Sequence, residues 1–137
     1  MSDAGSAGTP SLIRYADILF VKDVLDPNGR NPKQRRVVVL TPDTALAAGF
    51  PIVAAPVTSQ IPPVLTADHV ILPFKNPPGT RHPATGLTRR AGIVRTWLVV
   101  VDPQDILPGR SGYVPPTNMS VVHSKTAAGA RALGGWP

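Results

Sequence analysis

A chain of 137 residues with 14 Lys and Arg against 8 Asp and Glu carries a formal charge of +6, which favours an anionic partner, either nucleic acid or an acidic protein. It contains no cysteine, which excludes disulfides, thiolate zinc sites and a cysteine nucleophile. The length suits one domain with a modest core, and 17 prolines with 12 glycines call for many short elements joined by turns.

Residues 1–10, MSDAGSAGTP, are small and polar and read as a disordered leader, with a single domain over 11–137. They lack the basic and apolar regions of a secretion signal, and no run approaches the ~20 apolar residues of a membrane span, so the chain reads as cytoplasmic with no membrane partner. Tyr15–Val21 is a first strand, with Ile18 and Phe20 on one face and Asp17, Leu19 and Val21 on the other. A basic loop follows to Gln34, in which Asp26, Pro27, Asn28 and Gly29 suit a type I turn. Val37–Leu40 is short, apolar and rich in β-branched residues, as expected of a strand covered on both faces. Arg35 and Arg36 stand at its mouth, and strand period sends their side chains to opposite faces, so one can face a cleft while the other faces solvent.

Asp43 is a candidate N-cap for one or two helical turns ending at Gly49. A second core strand, Ile52–Gln60, closes on Thr58, Ser59 and Gln60, and His69–Phe74 is a third. Lys75–Arg90 is rich in Pro, Gly and Thr and carries Lys75, Arg81, His82, Arg89 and Arg90, an irregular basic loop able to track a single-stranded phosphate backbone. Ile93–Val101 reads as the longest strand, with Trp97 inside it as core or dimer interface. Asp102 and Pro103 then suit the start of a short helix stopped near Pro108. A short strand over Gly112–Val114 and a helix over Asn118–Leu133 complete the chain.

His69, His82 and His123 are far apart and none has metal-ligand spacing, and no phosphate-binding loop, dinucleotide fingerprint or hydrolase nucleophile motif occurs. The aspartates show none of the clustering that two-metal nucleases need, so neither metal nor cofactor is expected. Metal-free RNA cleavage stays chemically open, because a ribose 2′-hydroxyl can attack its own phosphate when geometry is held and charge is stabilised. Arginine suits the stabilising part, since its guanidinium forks onto two phosphate oxygens and does not deprotonate. His82 is a candidate for the proton acceptor through its ordinary pKa range.

The order and spacing of a basic residue before VVVL, a short linker and AAPVTSQ resemble the MazF/PemK family of bacterial toxins, over about Arg14 to Val114. The resemblance implies a mainly β fold, a small SH3-like barrel of about five to seven strands with short connecting helices and a C-terminal helix. It further implies a sequence-specific endoribonuclease, a homodimer, and an acidic antitoxin occupying the RNA groove. The family's catalytic threonine matches Thr58. Its arginine matches Arg35 when VVVL is aligned residue for residue and Arg36 when counted from Gly29; strand register is the steadier ruler because loops tolerate insertions, so Arg35 and Thr58 are the expected pair, with Arg36 and Ser59 as alternates. Lys33, Gln60, Lys75, Arg81, His82, Arg89 and Arg90 are the expected RNA contacts. Two departures from the family pattern stand out: Ala16 replaces a usual glycine, and Arg36 a usual proline. The same fold also serves CcdB-type toxins that bind gyrase without catalysis, and a barrel that only binds RNA or a partner is a further alternative.

Overall fold

The computed structural model describes residues 13–75 and 80–137, so the leader expected over 1–10 lies outside the described residues. In chain order the elements are β1 (Asp17–Val24), β2 (Lys33–Val39), α1 (Asp43–Ala47), β3 (Ile52–Pro56), β4 (His69–Ile71), β5 (Gly92–Val94), β6 (Val99–Val101), β7 (Ile106–Tyr113) and α2 (Pro116–Gly134). Five strands form an antiparallel sheet ordered β6-β3-β2-β1-β7, and β4 pairs with β5 in a second sheet.

The apolar run of β2 lies at the centre of the large sheet, and its alternation divides the core in two. Val38 joins Ile18, Val53, Val70, Ile93 and the α2 residues Met119 and Val122 on one face. Val37 and Val39 join Leu19, Val21, Ala54 and Val101 on the other. Both faces are therefore covered, which is why the run is continuously apolar. Beyond Pro56 the chain of β3 leaves β6 and pairs with β5: Thr58 and Gly92 exchange both backbone hydrogen bonds, at 2.8 and 2.9 Å. This bridge links the two sheets and starts the closure of the barrel.

Left-handed residues shape the first hairpin and the approach to it: Asp23, Gly29 and Asn31 within it and Ala16 just before β1. Gly29, at φ +74°, closes the expected turn by donating its N–H to the Asp26 carbonyl at 2.9 Å. Ala16 also has φ +74° although it carries a Cβ. That conformation costs an L-residue about 1–2 kcal/mol, while burying the methyl in the core returns about 0.8 kcal/mol, so alanine is tolerated where glycine would be free of strain.

Several expected boundaries are corrected. The long strand over Ile93–Val101 is two strands in different sheets, because the chain turns at Arg95–Trp97: Trp97 N–H bonds the Val94 carbonyl and Arg95 pairs with Asp68. The helix after Asp102 is a single 3-10 turn, Pro103–Asp105, capped by Asp102 as expected. The chain then runs as the eight-residue β7, which absorbs Pro108 and a left-handed Gly109 where its register with β1 shifts; at a sheet edge proline removes no ladder bond. Asp43 is not an N-cap. Pro42 holds that position, and the Asp43 carboxylate accepts from Tyr15 N–H at 2.8 Å. The third strand stops at Ile71, and the loop after β1 is shorter than expected because the hairpin arms reach Val24 and Lys33.

Helix α2 starts two residues earlier than expected, with Pro116 in its first turn, and ends at a left-handed Gly135 whose N–H returns to the Arg131 carbonyl. Its buried stripe is Met119, Val122, Thr126, Ala130 and Gly134, a regular helical spacing in mostly small residues, so its apolar periodicity is faint. Gly129 does not break the helix; it faces Leu98, whose Cδ1 lies 3.2 Å from where a Cβ would stand.

Thr41, fully buried, ties the connector together: its hydroxyl donates to the Pro51 carbonyl and accepts from Val53 N–H, both at 2.8 Å. Thr41→Val keeps the shape and orphans both backbone groups, so urea unfolding is expected to lose about 2 kcal/mol with the slope unchanged. A loss below about 0.5 kcal/mol contradicts this role for Thr41.

Candidate nucleic-acid site

A cleft of about 980 Å3 wraps the end of β2 that projects past β3. Lys33, Arg35, Arg36, Thr58, Ser59, Gln60, Arg89 and Trp97 line it, and Asp26 is the one carboxylate among the described lining residues.

The β2–β3 register brings the expected pair together. Val37 faces Pro56 and Val38 faces Ala55, and the next step is held by Val57 N–H on the Arg36 carbonyl at 2.8 Å. Continued by one residue, this register sets Arg35 opposite Thr58. The backbone of Thr58 bonds Gly92, and Arg35 and Thr58 both line the cleft.

Each side chain of this pair is held and yet free to act. Arg35 Nε donates to the Val24 carbonyl at 3.1 Å, and its guanidinium carbon lies 5.0 Å from the centroid of the Trp97 ring. That stacking fixes the plane of the fork and leaves both terminal amino groups without a partner among the described residues. Thr58 Oγ1 accepts from Gln60 N–H at 3.0 Å, so its own proton is available to an incoming oxygen. Trp97 is only 7% exposed, as expected of core, but its Nε1–H is buried without a partner among the described residues.

Arg36 does not face open solvent, contrary to expectation. It is half-buried, donates from Nε to Ser111 Oγ at 3.2 Å, and its guanidinium carbon sits 5.2 Å from the Phe20 ring centroid. Burial first, then the charges of Arg81 and Arg89, hold its pKa below the ordinary arginine value. No carboxylate among the described residues pairs with Arg35 or Arg36; the ion pairs found are Arg95 with Asp68 and Arg110 with the buried Asp17. Asp17 is thus a structural acceptor, taking Arg14 N–H as well.

Two expected RNA contacts also have structural partners. Arg90 donates from each of its two terminal amino groups, to the carbonyls of Ile61 and Pro62 at 2.7 and 2.8 Å. His82 Nδ1 accepts from the backbone of Ala84 and Thr85. The ring proton of the neutral imidazole therefore sits on Nε2, leaving no free lone pair to take a ribose proton. Lys75 and Arg81 are exposed and lie outside the cleft lining, whereas Lys33, Gln60 and Arg89 lie within it.

Asp26 is fully engaged. Oδ1 accepts from the N–H groups of Asn28 and Arg30, and Oδ2 from Asn31. The Arg30 bond above all, then Asn31, pulls its pKa below the ordinary carboxylate value, with a smaller contribution from the charge of Arg35. It stays ionised at neutral pH and is a poor general base. Because the folded pKa is depressed, its support of the hairpin tip is complete at neutral pH and fades as pH falls below ~4, the unfolded value. Backbone amide exchange at Asn28 and Arg30 is expected to accelerate over that window beyond its intrinsic pH dependence; an Asp26→Asn variant showing the same profile contradicts the assignment.

Fold and cleft together define a small antiparallel barrel with a cationic mouth. No protein-family model matches the chain, and no curated protein matches it in sequence. Solved structures do match. The Mycobacterium tuberculosis toxin MazF-mt6 superposes with a TM-score of 0.58 at 16% identity, over 82% of this chain and 93% of that one. MazF of Deinococcus radiodurans gives 0.57 at 16% identity over 90% and 96%, and the MazE-MazF complex of the same organism gives 0.55 at 16% over 84% and 91%. The chain has the fold of the MazF toxins.

Proposed function

We propose that the chain is the toxin of a toxin–antitoxin pair and a metal-independent, sequence-specific endoribonuclease acting on single-stranded RNA. The observation that carries this reading is a cleft lined by both Arg35 and Thr58, in which neither Arg35 nor Arg36 forms an ion pair among the described residues. In the reaction the ribose 2′-oxygen forms a bond to the adjacent phosphorus and the bond to the 5′-oxygen breaks, leaving a 2′,3′-cyclic phosphate and a 5′-hydroxyl. The 2′-proton passes to water and the leaving oxygen takes a proton from water. Arg35 and Thr58 donate to the phosphate oxygens, where negative charge builds in the transition state. Among the described residues no three His, Asp or Glu side chains gather, and no step is routed through a metal.

The basic cleft suits an acidic antitoxin as well as RNA, and a homodimer is part of the same reading. Among the described residues no helix is long and apolar enough to cross a membrane. Expression without an antitoxin is expected to stop growth and fragment cellular RNA. Arrest with intact RNA and poisoned gyrase contradicts the nuclease and selects the gyrase-directed alternative.

A further inference from the structure

Arg36 stands where the resemblance has proline, and its side chain is held in one place by its neighbours. Ser111 Oγ donates its proton to the Thr85 carbonyl at 2.7 Å, so the lone pair it offers to Arg36 Nε is held in one direction. With Phe20 against the guanidinium, the side chain is fixed at two points. Its terminal amino groups have no partner among the described residues. Arg81 and Arg89 are near enough to repel it, and neither has a carboxylate within ion-pair distance among the described residues.

The segment bearing those two arginines is anchored. His82 N–H bonds the Leu87 carbonyl, Gly86 N–H returns to the His82 carbonyl, and Tyr113 N–H bonds the Ala84 carbonyl. Gly86 and Gly112 permit the contact: a Cβ on Gly86 would overlap the Ser111 carbonyl, and one on Gly112 the Ala84 carbonyl. The fold thus anchors the backbone that carries Arg89 into the cleft lined by Arg36, where an anion would offset their like charges.

We propose that Arg36 and Arg89 form a second phosphodiester subsite, on the face of β2 opposite Arg35 and Thr58, that grips an uncleaved phosphate of the same RNA strand. The cleft is continuous from Arg35 through Arg36 to Arg89, so one strand wrapping the end of β2 reaches both. The subsite rests on the endoribonuclease reading, supplying affinity and register while the Arg35 side supplies chemistry.

The test uses a short single-stranded RNA that the wild type cleaves, and an uncleavable copy with 2′-deoxyribose at the cleaved position. Arg36→Gln and Arg89→Gln are each expected to weaken binding of the uncleavable copy about three- to tenfold and to reduce the log-log salt slope by about 0.7, the value for one single-strand phosphate contact. A neutral methylphosphonate at one flanking phosphate should weaken the wild type yet cost the Arg36→Gln variant little more, since the two changes remove the same contact. Arg89 is exposed, so its variant keeps the test open if Arg36→Gln folds poorly. Unchanged affinity and slope in the folded variants, with wild-type cleavage intact, overturn the subsite alone. Absence of any cleavage or binding by the wild type overturns the endoribonuclease reading and the subsite with it.

Discussion

Arg35→Ala and Thr58→Ala are each expected to lower the single-turnover rate of RNA cleavage by about 10²- to 10³-fold at saturating RNA, the loss typical when a donor aimed at developing charge is removed. Arg35 has no neighbouring cation to replace it in the same plane, because its guanidinium is oriented by the Val24 carbonyl and the Trp97 ring. Thr58→Ser, which keeps the hydroxyl and the Gln60 bond, should retain far more activity than Thr58→Ala. Neither Arg35→Ala nor Thr58→Ala empties the core, since both side chains are only half-buried, so circular dichroism should show folded protein. The Arg36→Gln loss, in contrast, falls on affinity. If Arg36→Ala is the variant that loses the rate while Arg35→Ala keeps it, the assignment is wrong by one residue.

Gly92→Ala is expected to lower the melting temperature by roughly 10 °C, the consequence of overpacking by about 3 kcal/mol in a domain of this size. A Cβ there would overlap the Val70 carbonyl oxygen, a backbone atom with no rotamer to yield. The relief open to the chain is to pull β5 away from β4, and β5 carries the bridge that holds Thr58. Cleavage by the folded fraction should therefore fall as well, whereas Gly109→Ala, with open space around it, should bear only the strain of its positive φ. Equal melting temperatures for Gly92→Ala and wild type contradict the close approach of β4 and β5.

Much of this architecture is legible in the chain because it rests on local chemistry. The Val37–Leu40 run, the turn through Asp26 and Gly29, and the Asp102 cap are each determined by neighbours in sequence. What is not legible depends on distant partners. Nothing between Ile93 and Val101 marks a break; the turn at Arg95–Trp97 depends on Asp68, 27 residues earlier. Pro108 and Gly109 look like a stop, yet at an edge strand they are absorbed as a register shift. The site divides the same way. Arg35 and Thr58 come from the family resemblance, with strand register serving only to prefer Arg35 over Arg36, and the basic residues of the later loop can be ranked only by what they touch. Arg90 donates to two carbonyls and His82 accepts within its own turn, while Ser111, which orients Arg36 from 75 residues away, and the Trp97 ring beneath Arg35 carry no signal for these duties in their local sequence.

The most direct measurement of the central claim is the fate of one phosphodiester. A single-stranded RNA cleaved by the wild type in the presence of EDTA, with its products read by mass spectrometry, should yield a 2′,3′-cyclic phosphate and a 5′-hydroxyl. Replacing the one ribose at the cleaved position by 2′-deoxyribose should abolish cleavage there while binding persists. Cleavage that continues across the deoxyribose linkage, or products ending in a 5′-phosphate, contradicts attack by the 2′-hydroxyl at the Arg35–Thr58 site.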